Sequence, residues 1–325
     1  MIKTLKANKL IGFFIILFLI IFISSPSIYM KSCLNGLNIW FFNVLPALFP
    51  FFIATRLLIL LDINEIPILN KLTKKFFKVI NGGKIFFLSL ISGYPIGAKM
   101  ICDSYKNNQI DQVSAKRMLS FCSVSGPMFI IGSIGIAVFK SVKIGYILLI
   151  CHIIGALING LVFRNCYKKN QEEKLPDIKP LIKSKNILAD SMLDSINSIL
   201  LVGGYIVFAY VLIDLFNNLN IIPTIANLIS ILPCFKGQVS SITSFLNGIL
   251  EMTRGLVDIG SINLNKTILL PISSFLLGFG GISVFMQSLN FTKELEIRKS
   301  FYFFQKFCQG LWSMFLAIIF SLIFF

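Results

Sequence analysis

The sequence has few acidic residues, one histidine and no pair of cysteines at the spacing that metal sites use. Among its 325 residues, 14 Asp and Glu stand against 30 Lys and Arg, and His152 lies alone in an apolar run. The seven cysteines are scattered, with no Cys-x-x-Cys pair, and their odd number argues against a disulfide framework. We therefore expect buried free thiols, no metal site and no cofactor.

Motifs for nucleotide or acyl chemistry are also missing. There is no Gly-x-x-x-x-Gly-Lys-Ser/Thr loop and no Gly-x-Ser-x-Gly elbow. We therefore expect no enzymatic activity and no ATP-driven transport by this chain alone. A net charge of +16 would suggest nucleic acid in a soluble protein, but no polar module is left to bind it, so we expect no nucleic-acid partner.

What the chain has in abundance is apolar sequence. Hydrophobic residues make up 56% of it, 33 of them are phenylalanine, and the mean hydropathy is +0.83. This composition predicts an all-α polytopic membrane protein whose partner is the lipid bilayer. The excess of positive charge then orients the protein in its membrane and attracts anionic lipid.

The N-terminal region has the charge pattern of a signal peptide or of a first membrane helix. Lys3, Lys6 and Lys9 precede an apolar run over 10–23, and serines follow it. We favour an uncleaved first helix. The three lysines place the N-terminus in the cytoplasm, so residues 1–35 form a cytoplasmic tail and the first transmembrane helix.

Two apolar segments, 85–109 and 240–260, are interrupted by small and polar residues. A shift of 155 residues places Gly93 on Gly248, and it also places the cations of the two segments, Lys99 and Arg254, on each other. Matched interruptions of this kind are the best sequence pointer to the binding site of a secondary transporter. We therefore predict two gate-like repeats, 36–163 and 191–325.

The basic linker 164–190 decides how these segments meet the membrane. If segment 85–109 crosses the bilayer, the linker lies outside, and if it turns back as a re-entrant hairpin, the linker stays in the cytoplasm. Seven Lys and Arg in the linker favour the cytoplasm. The basic loop 292–306 is then cytoplasmic as well, and the two repeats form an inverted structural repeat with re-entrant hairpins and broken transmembrane helices.

The later spans of both repeats also contain residues that are expected to break the helix, in 123–127 and 278–283. A broken helix presents free N–H groups and the positive end of its dipole, which suit an anionic ligand. Small residues at the same places can instead serve close helix packing.

The charged residues of the interrupted segments have two interpretations each. Lys99 and Arg254 can bind a ligand at one shared site, or they can snorkel to lipid headgroups at the mouths of the hairpins. Glu251 can bind a coupling proton or cation, or it can pair with Arg254. The predicted substrate-binding residues are Ser92, Gly93, Tyr94, Gly97, Lys99, Ser123, Ser125, Gly126, Asn247, Thr253, Arg254, Gly280, Gly281 and Ser283.

Four stretches in this order resemble one family. They are LPALFPFF at 45–52, SGYPIGAK at 92–99, FCSVSGP at 121–127 and GFGGISV at 278–284. Together they resemble the YlbJ-type sporulation integral membrane proteins, a family with paired nucleoside-recognition gate domains, and the resemblance runs from about residue 36 to 325.

The resemblance implies a function in a spore-forming bacterium. It implies a secondary transporter in the mother-cell-derived outer forespore membrane that moves dipicolinate towards the forespore during spore cortex and core maturation. Dipicolinate is a planar dianion, which Lys99, Arg254 and the helix breaks would suit. The alternatives are a non-transporting membrane scaffold for spore-envelope assembly and a nucleoside-like transporter. Nucleoside transporters of this resemblance usually carry acids in both hairpins. In this sequence the first hairpin has Ile96 at the position that matches Glu251.

Overall fold

The computed structural model describes residues 2–61, 66–167, 186–262 and 264–325, with side chains from residue 9 onward except at position 234. These residues are almost entirely helical and include no strand, which confirms the all-α prediction. The first eight helices are α1 Ile2–Ser24, α2 Pro26–Ile39, α3 Leu45–Leu60, α4 Pro67–Leu72, α5 Gly83–Ser92, α6 Ile96–Lys106, α7 Gln112–Cys122 and α8 Val142–Phe163. The remaining helices are α9 Ile187–Asn218, α10 Ile221–Ser230, α11 Val239–Leu250, α12 Met252–Ser261, α13 Lys266–Phe279, α14 Gly281–Phe291 and α15 Lys299–Phe324.

Irregular helical turns join several of these helices. Wider π-helical turns occupy Trp40–Val44, Thr73–Phe77 and Phe129–Val138, and 3-10 turns occupy Pro233–Phe235 and Thr292–Leu295. Because the turn at Trp40–Val44 continues the helical path, α2 and α3 form one span.

In the described part of the chain, five stretches are long and apolar enough to cross a membrane. They are Pro26–Leu60, Val142–Phe163, Ile187–Asn218, Lys266–Leu295 and Lys299–Phe324. A helix of 22 residues rises about 33 Å, slightly more than a hydrocarbon core of about 30 Å. The protein is therefore a multi-pass membrane protein. The apolar part of α1 is shorter, and its side chains are largely exposed.

Both interrupted segments fold back on themselves as helical hairpins. In the first hairpin, α5–α6, a Cβ added at Gly97 would lie 3.2 Å from the Cβ of Ser89. In the second, α11–α12, Asn247 donates a 2.8 Å hydrogen bond to Asp258, 11 residues further on. These residue pairs would be about 12 and 16 Å apart along a continuous helix. The hairpin geometry that a re-entrant segment requires is therefore present.

The hairpin turns follow from the local sequence. Gly93 ends α5 with φ of +77°, a region that side chains rarely adopt, and Pro95 has no N–H to continue the helix. The second hairpin turns at Glu251, whose backbone is extended. Gly248 instead lies inside α11 and packs against Gly255. The register of 155 therefore matches the two hairpins but misplaces the second turn by three residues.

Both predicted breaks in the later spans are present. The backbone leaves helical geometry between α7 and Pro127, and the span α13–α14 breaks at Gly280 and Gly281, which have φ of +84° and +73°. A Cβ added at Gly93 would lie 2.4 Å from the backbone nitrogen of Gly126, and one at Gly281 would lie 3.1 Å from the backbone nitrogen of Met252, next to the turn at Glu251. Each hairpin turn therefore packs against the break in the span that follows it.

Contacts among loops and helix ends define two opposite faces. On the first face, Lys106 pairs with Glu294 at 3.0 Å, and Arg117 donates to the carbonyl of Tyr167 at 2.8 Å. On the second face, the ends of three helices meet, because Lys143 and Lys266 both lie 4.5 Å from the ring of Phe325. The start of the predicted linker 164–190 and the loop after α14 therefore share the first face. Most of that linker, residues 168–185, lies outside the described residues.

The structure places the same order of elements in both halves: a hairpin, a broken span and a long helix. The long helices α8 and α15 pack closely, since a Cβ at Gly155 would lie 2.9 Å from the backbone nitrogen of Ser313. The inverted symmetry of the repeats, their boundaries and the membrane orientation of each hairpin stay predictions.

Candidate functional site

A small cavity of about 30 Å³ lies where both hairpin turns and both broken spans meet. The polar residues that line it are Tyr94, Ser125, Gly126, Glu251, Thr253 and Gln287. The apolar residues that line it are Val44, Leu48, Phe129, Val202, Ile206, Met252 and Val284. This volume holds about two water molecules. A planar organic dianion is several times larger, so the protein must open before such a ligand can enter.

Ser125 is the residue of this cavity with an unused polar group. It is 3% exposed, and its hydroxyl has no hydrogen-bond partner among the described residues. Its backbone N–H donates to Nε2 of His152 at 2.9 Å. A buried hydroxyl without a partner costs free energy, so Ser125 is well placed to bind a polar ligand.

Glu251 has a local structural task. It is 1% exposed, and its carboxylate accepts the backbone N–H of Arg254 at 2.6 Å, which caps the start of α12. The side chain of Arg254 pairs with Asp214 and Asp258 instead. Of the two interpretations of Glu251, a side-chain pair with Arg254 is therefore not what the structure has, while the carboxylate still lines the cavity.

Lys306 is a buried lysine that sequence reasoning missed. The sequence pattern predicts Lys306 at the end of a basic loop, but α15 begins at Lys299, so Lys306 lies two turns inside the helix. It is 2% exposed. Its Nζ donates to the hydroxyl of Tyr94 at 2.8 Å, the carbonyl of Ser123 at 2.7 Å and Oε1 of Gln309 at 2.7 Å.

The partners of Lys306 are all neutral. Among the described residues, no carboxylate lies within ion-pair distance of its Nζ. Tyr94 connects Lys306 to the cavity, because its hydroxyl accepts from Lys306 while the residue also lines the cavity. A charged side chain at membrane depth is costly, and an ionisable residue there is a candidate functional residue.

Lys99 and Arg254 lie in two separate clusters. Lys99 contacts Ser198 of α9 at 3.4 Å, in a second small cavity that also holds Arg56, Asp103 and Asp194. Arg254 contacts Asp214 of α9 at 3.3 Å and stacks over the ring of Tyr210 at 5.0 Å.

The two contact points on α9 are 16 residues apart, or about 24 Å along a helix. The prediction that Lys99 and Arg254 converge on one ligand is therefore wrong for this conformation, because the two side chains contact α9 at well-separated points.

The other predicted site residues divide between the cavity and the packing around it. Tyr94, Ser125, Gly126 and Thr253 line the cavity directly. Gly280 lies next to the Tyr94 ring, Gly281 next to the second hairpin, and Ser283 accepts a hydrogen bond from Gln287. The remaining residues serve local structure. The Ser92 hydroxyl donates to the carbonyl of Leu88, and the Asn247 side chain donates to Asp258. Gly93 and Gly97 allow close approach of backbones, and the Ser123 carbonyl accepts a hydrogen bond from Lys306.

In the described ranges, no group of three or more His, Cys, Asp or Glu is placed to hold a metal ion. His152 faces the backbone of Ser125 and the ring of Tyr94, whose centroid is 6.5 Å from its own.

Fold and site together define a multi-pass, all-α membrane protein with a buried polar centre between two helical hairpins. The chain is 29% identical over 319 residues to the sporulation integral membrane protein YlbJ of Bacillus subtilis (strain 168), covering 90% of this chain and 77% of that relative. No family model matches the chain, and no solved structure is detectably similar to it. The similarity supports the sporulation part of the sequence resemblance, but the paired nucleoside-recognition gate domains have no support from these comparisons.

Proposed function

We propose that this protein is a secondary transporter of a small organic anion in a sporulating bacterium. The proposed substrate is dipicolinate, moved across the outer forespore membrane. Its 29% identical relative is a sporulation integral membrane protein, which supports a membrane role in sporulation. The substrate rests on the family resemblance of the sequence and on the chemistry of the site.

The observation that carries the proposal is Lys306 beside the cavity. A membrane protein that only holds other proteins together needs neither a buried lysine without an acidic partner nor two hairpins that turn inside the bundle. Both features suit a transporter, because a substrate at membrane depth must replace its water shell with protein groups. An anion next to Lys306 and Tyr94 would supply the negative charge that the partners of Lys306 lack.

The helix breaks around the cavity add to this preference for anions. α6 and α14 begin at Ile96 and Gly281, next to the two turns that pack at the centre. The first N–H groups of a helix lack intrahelical partners and carry the positive end of its dipole. These N–H groups and a protonated Lys306 favour an anion at the centre, where Glu251 is the acid among the lining residues.

Dipicolinate binding to the purified protein tests the proposal. A ligand that binds the folded state at a hundred times its dissociation constant stabilises that state by about 2.7 kcal/mol. We expect millimolar dipicolinate to raise the thermal midpoint of the wild-type protein, and Lys306→Met to abolish this rise. The matched control is Lys143→Met, which removes an exposed lysine on the second face.

Uptake into vesicles separates the proposed transporter from its alternatives. We expect vesicles that contain the protein to exchange labelled dipicolinate across the membrane and to ignore uridine as a competitor. Competition by uridine would favour the nucleoside-like transporter. Neither binding nor exchange of dipicolinate by a folded protein would favour the scaffold.

A further inference from the structure

The hydrogen bonds of Lys306 are satisfied in either protonation state. A charged ammonium group has three hydrogens, and its three partners here are Tyr94, Ser123 and Gln309. A neutral amine needs two acceptors and one donor. The Ser123 carbonyl and the Gln309 oxygen accept two bonds, and the Tyr94 hydroxyl can donate the third.

Tyr94 can change the direction of its hydrogen bond because it has alternative acceptors. Its hydroxyl lies 3.4 Å from the carbonyl oxygen of Gly278 and 3.5 Å from that of Leu277. When Lys306 is charged, the hydroxyl accepts from Nζ and donates towards these carbonyls, which the break after α13 leaves without helical partners. When Lys306 is neutral, the hydroxyl donates to Nζ.

Among the described residues, the surroundings of Lys306 hold no counter-ion for an ammonium group when the cavity is empty. Three titratable groups face Lys306: Tyr94 from the first hairpin, His152 from α8 and Tyr302 from its own helix. From α13, the backbone carbonyl groups of Leu277 and Gly278 face this site. His152 accepts the Ser125 N–H through Nε2 and is therefore neutral itself. Burial penalises the charged form of an amine that has no anionic neighbour.

An anion in the cavity provides that counter-ion. Tyr94 links the cavity to Nζ through one 2.8 Å hydrogen bond, so a carboxylate that contacts Tyr94 lies close to Lys306. Coulomb attraction then favours the ammonium form. Binding of anion and binding of proton are therefore reciprocal: each increases the affinity for the other by the same factor.

We infer that Lys306, together with Tyr94, is the proton-binding site of a proton–anion symporter. The inference rests on the proposed function. One proton from the aqueous side binds the Lys306 amine as the anion enters, and the same proton returns to water on the other side when the anion leaves. No bond other than N–H forms or breaks. This role replaces Glu251, whose carboxylate caps α12, as the expected coupling group.

Proton uptake on binding tests the inference directly. Dipicolinate is already a dianion at neutral pH, so any proton taken up must bind to the protein. In weakly buffered detergent solution with a pH indicator, we expect about one proton taken up per dipicolinate bound. The affinity should then rise about tenfold for each unit by which the pH falls.

Two substitutions locate the proton. Lys306→Arg keeps a cation that does not lose its proton, so it should bind dipicolinate with no proton uptake and no dependence on pH. In vesicles it should exchange dipicolinate across the membrane but not accumulate it under a pH gradient. Tyr94→Phe should weaken both proton uptake and dipicolinate binding, because it removes the link between the cavity and Nζ. Lys143→Met, the exposed control, should behave as wild type.

Each outcome bears on one claim. Failure of the wild type to bind or exchange dipicolinate would reject the proposed function. Binding without proton uptake would reject the inference and leave the transporter standing. Proton uptake that persists in Lys306→Arg but disappears in Glu251→Gln or His152→Asn would move the proton to that residue. If Lys306→Arg does not fold, the proton count and pH dependence of the wild type still decide whether a proton is carried. Proton uptake that persists in Glu251→Gln and in His152→Asn then keeps Lys306 as the proton site.

Discussion

Asp194 and Asp214 lie on the same helix, α9, and each holds an arginine from another part of the chain. Asp194 pairs with Arg56 at 2.6 Å, and Asp214 pairs with Arg254 at 3.3 Å. The two carboxylates are 20 residues apart, or about 30 Å along the helix, which matches the hydrocarbon thickness of a bilayer. The central cavity touches α9 between them, at Val202 and Ile206.

These ion pairs are therefore expected to close the cavity from opposite sides. Asp194→Asn should loosen the side near Lys99, and Asp214→Asn the side near Arg254. In a cysteine-free background with Ser125→Cys, each variant should increase labelling by an impermeant thiol reagent from one side of the membrane only.

The control for this labelling is Glu296→Gln, which removes an exposed acid in the loop after the 3-10 turn Thr292–Leu295. Equal labelling from both sides in either Asp variant would contradict the assignment of one ion pair to each side.

Membrane orientation gives a second prediction. The face that carries Lys106, Arg117 and Arg164 is richer in basic residues than the opposite one, so we expect it in the cytoplasm. A single cysteine at Glu296 should resist an impermeant thiol reagent in intact cells, whereas one at Lys140 should react. Labelling of position 296 from outside would overturn this orientation and the re-entrant model with it.

The separation of Lys99 and Arg254 gives a third prediction. Substitutions further apart than about 7–10 Å usually change the free energy of unfolding additively, within about 0.5 kcal/mol. Lys99→Ala and Arg254→Ala should therefore add in the double mutant when stability is measured by reversible unfolding in detergent. A large coupling between them would show that the two clusters communicate, as a shared ligand site requires.

Backbone contact at the first hairpin turn gives a fourth prediction. Gly93→Ala should abolish the folded protein or reduce its yield severely, because the new Cβ would lie 2.4 Å from the nitrogen of Gly126 at φ of +77°. Gly204→Ala is the matched control, since no described heavy atom lies within 4 Å of its new Cβ. We expect that control to be neutral or stabilising by up to about 1 kcal/mol, as for Gly→Ala inside a helix. Yield and thermal midpoint in detergent measure both.

The capping role of Glu251 gives a fifth prediction. Glu251→Gln keeps an oxygen that can accept the Arg254 N–H, so stability should change little and gradient-driven accumulation of dipicolinate should persist. Glu251→Ala removes the cap and should cost about 0.5–2 kcal/mol of stability. Loss of accumulation in a stable Glu251→Gln protein would restore the coupling role of this carboxylate.

The sequence allowed the helical class, the two hairpins and the break at Gly280 to be predicted, because glycine and proline inside apolar runs have direct effects on backbone geometry. Their consequences for side chains were harder to foresee. Lys99 and Arg254 occupy matching positions, but they contact α9 at two points 16 residues apart, Ser198 and Asp214. Sequence register carries no information about that separation unless the topology is already known.

Lys306 was missed for a different reason. The basic residues before it, Lys293, Arg298 and Lys299, make it look like the last residue of a basic loop. A signal was present nevertheless. Small and polar residues recur at helical spacing along one face of α15, and they are buried: Tyr302, Gln305, Lys306, Gln309, Gly310 and Ser313. This stripe predicts a helix that begins before Lys306 and faces a polar interior.

A single buried amine with neutral partners also has an electrical consequence. If one proton accompanies each dipicolinate dianion, every transport step moves one net negative charge across the membrane. A potential that is negative inside a cell then favours movement out of that cell's cytoplasm, by about 2.3 kcal/mol per 100 mV. This corresponds to a concentration ratio of about fiftyfold. In an outer forespore membrane the same potential would drive the anion out of the mother cell, towards the forespore.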